Sequence, residues 1–287
     1  MKVIRAQSLG YCMGVRRAVS IAETETGKKV YTMGPLIHNP RVLEDLRQRG
    51  VQTLETSETS ADLREAVVII RAHGVTPRQE RQLVDQGARL VDATCLRVKA
   101  SQMKAKALAE SGYALFLAGE KRHGELVGIQ GYAPDCLLVG NAGEAEASAA
   151  ALHASAPASK TALLGQTTIS TDEYSLIAQA IRRYFPDIEV IDTICGATRD
   201  RQNALKELCQ LVDAIVVAGG RDSANTQRLF AIAQAAGKAA WLVESAAELP
   251  DALAAYPTVG LSAGASTPDN VIDEIEQALQ QLGVCCP

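Results

Sequence analysis

The chain has 287 residues, 47% hydrophobic and 22% charged, which excludes a disordered or low-complexity protein and leaves apolar material for two or three cores. Its net charge of −4 comes from acids and bases mixed along the whole length, so it builds no general field for nucleic acid or an anionic membrane. Any anionic ligand must be held locally. The opening residues, MKVIRAQSLG, lack a signal-peptide core, and no apolar run reaches the ~18 residues of a bilayer span, so a cytoplasmic protein is expected. Seven cysteines in such a compartment point to metal or catalytic thiols, with the remainder as small core residues.

In chain order, KVIRAQSLGYC reads as a strand leading to Cys12. CMGVRRAVSIAETETG has a helical pattern ending at Gly27, KVYTMGPLIHN is an apolar run with His38 at its tip, and PRVLEDLRQRG is a helix between Pro40 and Gly50. A strand, VQTLE, follows, then VVIIRAHG ending near His73, and LVDATC feeding Cys95. The same order then repeats. After Cys95 come RVKASQMKAKALAESG, YALFLAGEKRHGE with His123 and Glu125 at its tip, CLLVG, an Ala-rich linker holding His153, ALLGQTTIS with Thr167 and Thr168, and VIDTIC feeding Cys195. After Cys195 come CGATRDRQNALKELCQLV, DAIVVAGGRDSAN with Ser223 and Asn225, TQRLFAIAQAAG, AAWLVE, VGLSAGAST with Ser266, and a last helix, VIDEIEQALQQLG.

The distances repeat as well. From each cysteine to the first polar tip is 26, 28 and 28 residues, and to the second 61, 72 and 71. The expected fold is therefore α/β: three similar domains with small parallel sheets, in a pseudo-threefold arrangement around a central site. Their expected limits are 13–95, 96–192, and 193–283 joined by 1–12, because the third unit lacks a final strand that the amino terminus can supply; 284–287 form a tail. In parallel sheets ligands gather at the carboxyl ends of strands, where the cysteines and polar tips are expected.

Equivalent positions of three like units converge, so Cys12, Cys95 and Cys195 are read as metal ligands. Three thiolates can hold three irons of a [4Fe-4S] cluster and leave the fourth without a protein ligand; a zinc with three cysteines and water is the other candidate. Cys136 and Cys209 read as core, and Cys285 and Cys286 as incidental in the tail. His38, His73, His123, Thr167, Thr168, Ser223, Asn225 and Ser266 supply donors suited to a phosphate, with helix capping as the alternative for the hydroxyl and amide groups. Glu125 reads either as a proton-delivering acid or as a helix amino-terminal carboxylate. His153 reads as solvated.

These residues resemble the 4-hydroxy-3-methylbut-2-enyl diphosphate reductases of the LytB family. The resemblance runs over essentially the whole chain, in nine ordered blocks: GYCMGVRRAV, GPLIHNPRVLEDL, RAHGV, DATC, HGELVG, GQTTIS, TICGAT followed by RQ, SANTQRL and GASTPD. It implies a three-domain fold around a [4Fe-4S] cluster on Cys12, Cys95 and Cys195. It further implies a diphosphate held by His38, His73, His123, Ser223, Asn225 and Ser266, and proton delivery by Glu125 and Thr167. The implied reaction is reductive dehydroxylation of an allylic diphosphate, with a ferredoxin or flavodoxin as electron donor and no nucleic acid or membrane partner. Leu96 and Gly124 stand where that family usually has Pro, and Ala224 where it commonly has a phosphate-binding Ser. Asp222 would oppose a diphosphate if it pointed inward, and Lys121 and Arg122 could compensate. Other readings are a cluster-dependent dehydratase or reductase on another small anion, of the kind quinolinate synthase resembles in design, and a redox sensor.

Overall fold

The computed structural model describes residues 1–25, 29–54 and 63–282. The expected helix end at Gly27 and the tail with Cys285 and Cys286 lie outside them. In chain order the elements are β1 (Lys2–Arg5), α1 (Met13–Thr24), β2 (Val30–Met33), α2 (Pro40–Gln48), β3 (Val51–Leu54), β4 (Val67–Ile70), α3 (Pro77–Asp85) and β5 (Arg89–Asp92). They continue with α4 (Leu96–Glu110), β6 (Ala114–Ala118), α5 (Gly124–Gln130), β7 (Leu137–Val139), α6 (Ala142–Ser155), β8 (Thr161–Gly165), α7 (Thr171–Arg182) and β9 (Glu189–Val190). Last come α8 (Gly196–Leu211), β10 (Ala214–Ala218), α9 (Ala224–Ala235), β11 (Ala239–Val243), β12 (Thr258–Ala263) and α10 (Asp269–Leu282).

The strands form three four-stranded sheets, ordered β3-β2-β4-β5, β7-β6-β8-β9 and β11-β10-β12-β1, and every pairing is parallel. The order within each is the same. In the third sheet the place of β5 and β9 is taken by β1, whose Lys2 to Arg5 lie in register with Thr258 to Leu261 of β12.

Central strands are apolar without alternation because both faces are covered. Alternate residues of β6 enter different cores: Leu115 and Leu117 pack with Leu126, Ile129 and Leu164, while Phe116 packs with Val139, Ile177 and Ile181. In β10, Ile215 and Val217 meet Leu205 and Leu229, while Val216 meets Leu261 and Ile275.

By compactness the chain forms two units. One comprises Met1–Arg16, Ile37–Asp45 and Gly196–Pro287 and contains the β11-β10-β12-β1 sheet. The other comprises Arg17–Leu36 and Leu46–Cys195 and contains the other two sheets.

Two local expectations are corrected. The Ala-rich stretch around His153 is not a linker but α6, started by Asn141, whose Oδ1 accepts from the Glu144 amide at 3.0 Å. Alanine is the best helix former, and here Ala145 and Ala149 are buried while others face solvent, so the pattern lacks a polar stripe. Within it, His153 meets the Phe185 ring edge to face at 5.4 Å. The strand in VIDTIC is only the pair Glu189–Val190, ending before the Ile-Asp pair that was expected to extend it.

Candidate active site

Each of the three cysteines stands at a helix start rather than on a strand, directly preceding α1, α4 and α8. What fixes them is one repeated hydrogen bond. The Cys95 amide donates to the Ala72 carbonyl at 2.9 Å, the Cys195 amide to Thr167 at 2.9 Å, and the Cys12 amide to Ala265 at 3.2 Å. Ala72, Thr167 and Ala265 each lie two residues beyond the ends of β4, β8 and β12. The third strand of every sheet thus sets the height of the cysteine in the neighbouring connection. None of the three is in a disulfide and all are partly exposed, whereas Cys136 and Cys209 are buried. Burial pushes the Cys136 thiol up to about 11 and raises that of Cys209, which marks both as inert core groups.

The approach to Cys95 is pinned. The Asp92 carboxylate accepts from the Thr94 amide at 2.9 Å, and Arg17 donates to the Asp92 and Thr94 carbonyls at 3.1 and 3.2 Å. Burial opposes the Asp92 charge, but the bonds from Thr94 and the Lys99 ammonium outweigh it and hold this carboxyl below its usual range. Asp92 and Arg17 were not singled out in the sequence, although the DATC block contained the acid.

In the two-sheet unit, His123 is the N-cap of α5, its Nδ1 accepting from the Glu125 amide at 3.2 Å. In the neutral ring that leaves the proton on Nε2. The rings of His73 and His123 meet edge to face with centroids 4.7 Å apart. Glu125 is 1% exposed, and its two oxygens accept from the Thr167 amide at 2.6 Å and the Thr167 hydroxyl at 2.8 Å. Thr168 offers its hydroxyl oxygen to the Gln166 amide at 2.9 Å, and the Gln166 carbonyl oxygen accepts from the Glu120 amide at 3.0 Å. Fully buried Gln166 is a supporting residue the sequence reading passed over, though GQTTIS displayed it.

In the other unit, the Ser266 hydroxyl donates to the His38 carbonyl at 3.1 Å. Ser223 is the N-cap of α9 and accepts from the Thr226 amide at 3.3 Å, so its oxygen serves the helix as the capping alternative anticipated. Ala224 opens that helix and has only its backbone N–H to offer. Asn225 is 4% exposed, and neither its amide nitrogen nor its oxygen has a hydrogen-bond partner. A buried primary amide left that way costs about 1–3 kcal/mol per group, which a polar ligand would recover. Asp222 and Arg122 face solvent, and Lys121 pairs with Glu144 at 2.9 Å, so these charges belong to the surface.

Fold and donors define a class: an α/β protein of three parallel sheets, with thiols, imidazoles, hydroxyls and a buried acid beyond the carboxyl ends of the strands. The family model described as LytB protein matches residues 3–280. A 4-hydroxy-3-methylbut-2-enyl diphosphate reductase of Treponema denticola is 48% identical, covering 97% of this chain and 99% of its own. One of Aquifex aeolicus is 36% identical over 98% and 96%. Among solved structures, the E-1-hydroxy-2-methyl-but-2-enyl-4-diphosphate reductase of Plasmodium falciparum is similar with a TM-score of 0.88 at 27% identity, covering 96% of this chain and 87% of its own. A second, described as the terminal enzyme of the non-mevalonate pathway, has a TM-score of 0.68 at 35% identity, covering 98% and 100%. The chain belongs to the LytB family.

Proposed function

We propose that the chain reduces 4-hydroxy-3-methylbut-2-enyl diphosphate to isopentenyl and dimethylallyl diphosphate. Two electrons and two protons enter; the allylic C–O bond breaks, a C–H bond forms, and water leaves. The observation that carries this reading is the repeated amide-to-carbonyl bond that holds the partly exposed Cys12, Cys95 and Cys195 at matching positions before three helices. That set of three soft donors fits a [4Fe-4S] cluster with one iron lacking a protein ligand, and does not favour a hydrolytic zinc. Once bound, the cluster supplies single electrons and a Lewis-acidic iron.

The remaining steps fall to the chain's own side chains. His38, His73, His123, Thr168, Ser223, Asn225 and Ser266 hold the diphosphate, with the unpartnered Asn225 amide ready to donate to it. Because Asp222 points to solvent, its charge does not oppose the anion, and Ala224 removes one hydroxyl while leaving an N–H. Glu125 carries the proton delivered to the departing oxygen, and Thr167, bonded to it through both amide and hydroxyl, keeps the acid in place and relays that proton. The reading also includes cytoplasmic location, a ferredoxin or flavodoxin donor, and three domains at 13–95, 96–192 and 193–283 with 1–12.

Anaerobic purification tests it. We expect a brown protein with about four irons per chain that turns over the hydroxylated allylic diphosphate with reduced dye. Cys12→Ser, Cys95→Ser or Cys195→Ser should each lose iron and turnover, whereas Cys136→Ser and Cys209→Ser should keep both. A zinc-only wild type would sink the assignment.

A further inference from the structure

Arg71 is the first residue beyond β4, two before His73. Its guanidinium lies in a slot made by two glycines. A Cβ added to Gly34 would come within 2.8 Å of Nη1, and one added to Gly124, the residue between His123 and Glu125, would collide with Nη2. Gly34 has φ +71°, so its lack of a side chain is also required by the turn. Among the described residues no carboxylate pairs with this cation, and its one polar contact is a long bond from Nε to the Gly74 carbonyl, 3.5 Å. Two surface arginines of the same unit contrast with it: Arg89 pairs with Glu25, and Arg183 with Glu146 at 2.9 Å.

A cation taken out of water without a counter-charge is costly, and burial pulls the Arg71 guanidinium's pKa down accordingly. Among the described residues no counter-charge offsets that cost, while a bound anion would. We propose that Arg71 is a further anion-holding residue of this site, a guanidinium facing the diphosphate group of the substrate from beside His73 and His123. The proposal rests on the reductase reading for the identity of the anion. It also gives Gly124 a specific role: the absence of a side chain there admits the guanidinium.

The test uses the iron-loaded full chain with inorganic diphosphate as probe, titrated by calorimetry. Arg71→Gln should weaken binding about ten- to a hundredfold, as loss of a charge-assisted contact does, and Arg71→Lys should recover part of it. In turnover, Arg71→Gln should raise KM by a similar factor with kcat little changed. Affinity and KM equal to wild type in Arg71→Gln would overturn the proposal. If Arg71→Gln does not fold, Gly124→Ala retains the cation but pushes it out of its slot; weakened binding of the probe supports the proposal, and unchanged binding overturns it. Wild-type protein that binds inorganic diphosphate through Arg71 yet fails to convert the allylic diphosphate would sink the reaction while leaving the anion site standing.

Discussion

Glu125 joins two elements through one side chain, and the proposed reaction gives that same carboxyl the proton to deliver. Its backbone lies in the first turn of α5, while its buried carboxyl crosses to the loop after β8 and takes both hydrogen bonds that Thr167 can donate. A carboxylate so placed is held in one orientation, as proton transfer to a defined atom requires. Glu125→Gln keeps the shape but cannot give up a proton, so turnover should fall by about 10²–10⁴-fold while iron content stays at the wild-type value. Turnover at the full rate would refute its role. The sequence displayed this residue through its place two residues after His123, but not its partner, because the pairing of residues 125 and 167 exists only once α5 and β8 are packed. Ser223 and His123 taught a related lesson: each is a polar tip, as the spacing suggested, yet each also caps a helix, which spacing does not distinguish.

At the scale of elements, strand order is the recurring device. Placing the third strand beside the first brings the loop after β4, β8 or β12 under the next cysteine, where its carbonyl takes the cysteine amide. The turn leaving the first strand is equally constrained. Gly119 after β6 and Gly219 after β10 share φ +145°, a conformation side chains rarely adopt, and a Cβ at Gly219 would sit 2.7 Å from both the Thr226 and Thr267 hydroxyls. Gly219→Ala should therefore lower unfolding free energy by about 1 kcal/mol or more, read from the urea midpoint; a wild-type midpoint would show that the turn relaxes freely. These elements were readable as apolar runs punctuated by glycine. The alanine helix α6 was not, since its residues carry little contrast between buried and exposed faces. The brevity of β9 was also hidden, because the side chains of VID suit a strand whether or not a neighbour is there to pair with it.

For the molecule as a whole, the decisive connection is between the two ends of the chain. β1 pairs with β12 across 256 residues, and the unit that contains them is assembled from three separated stretches. Such a contact closes a very long loop and forms late. Removing residues 1–6 should expose the edge of β12, lower the thermal midpoint and reduce soluble yield; an unchanged midpoint would show the strand to be dispensable. No helix of the described residues is long and apolar enough to cross a membrane, in keeping with the hydropathy of the sequence.

The repeat, the α/β class and the candidate donors were legible in the one-dimensional pattern because strands buried on both faces must be apolar runs and because equal spacing implies equal placement. Left to the folded chain were the contacts with no periodicity: Asp92 and Arg17 pinning the turn before Cys95, Thr167 clasping Glu125, the unpartnered Asn225 amide, and the lone guanidinium of Arg71 between two glycines. Those depend on which side chains meet across sheets and helices, and a polar residue's burial and missing partners are properties of its surroundings, not of its own identity.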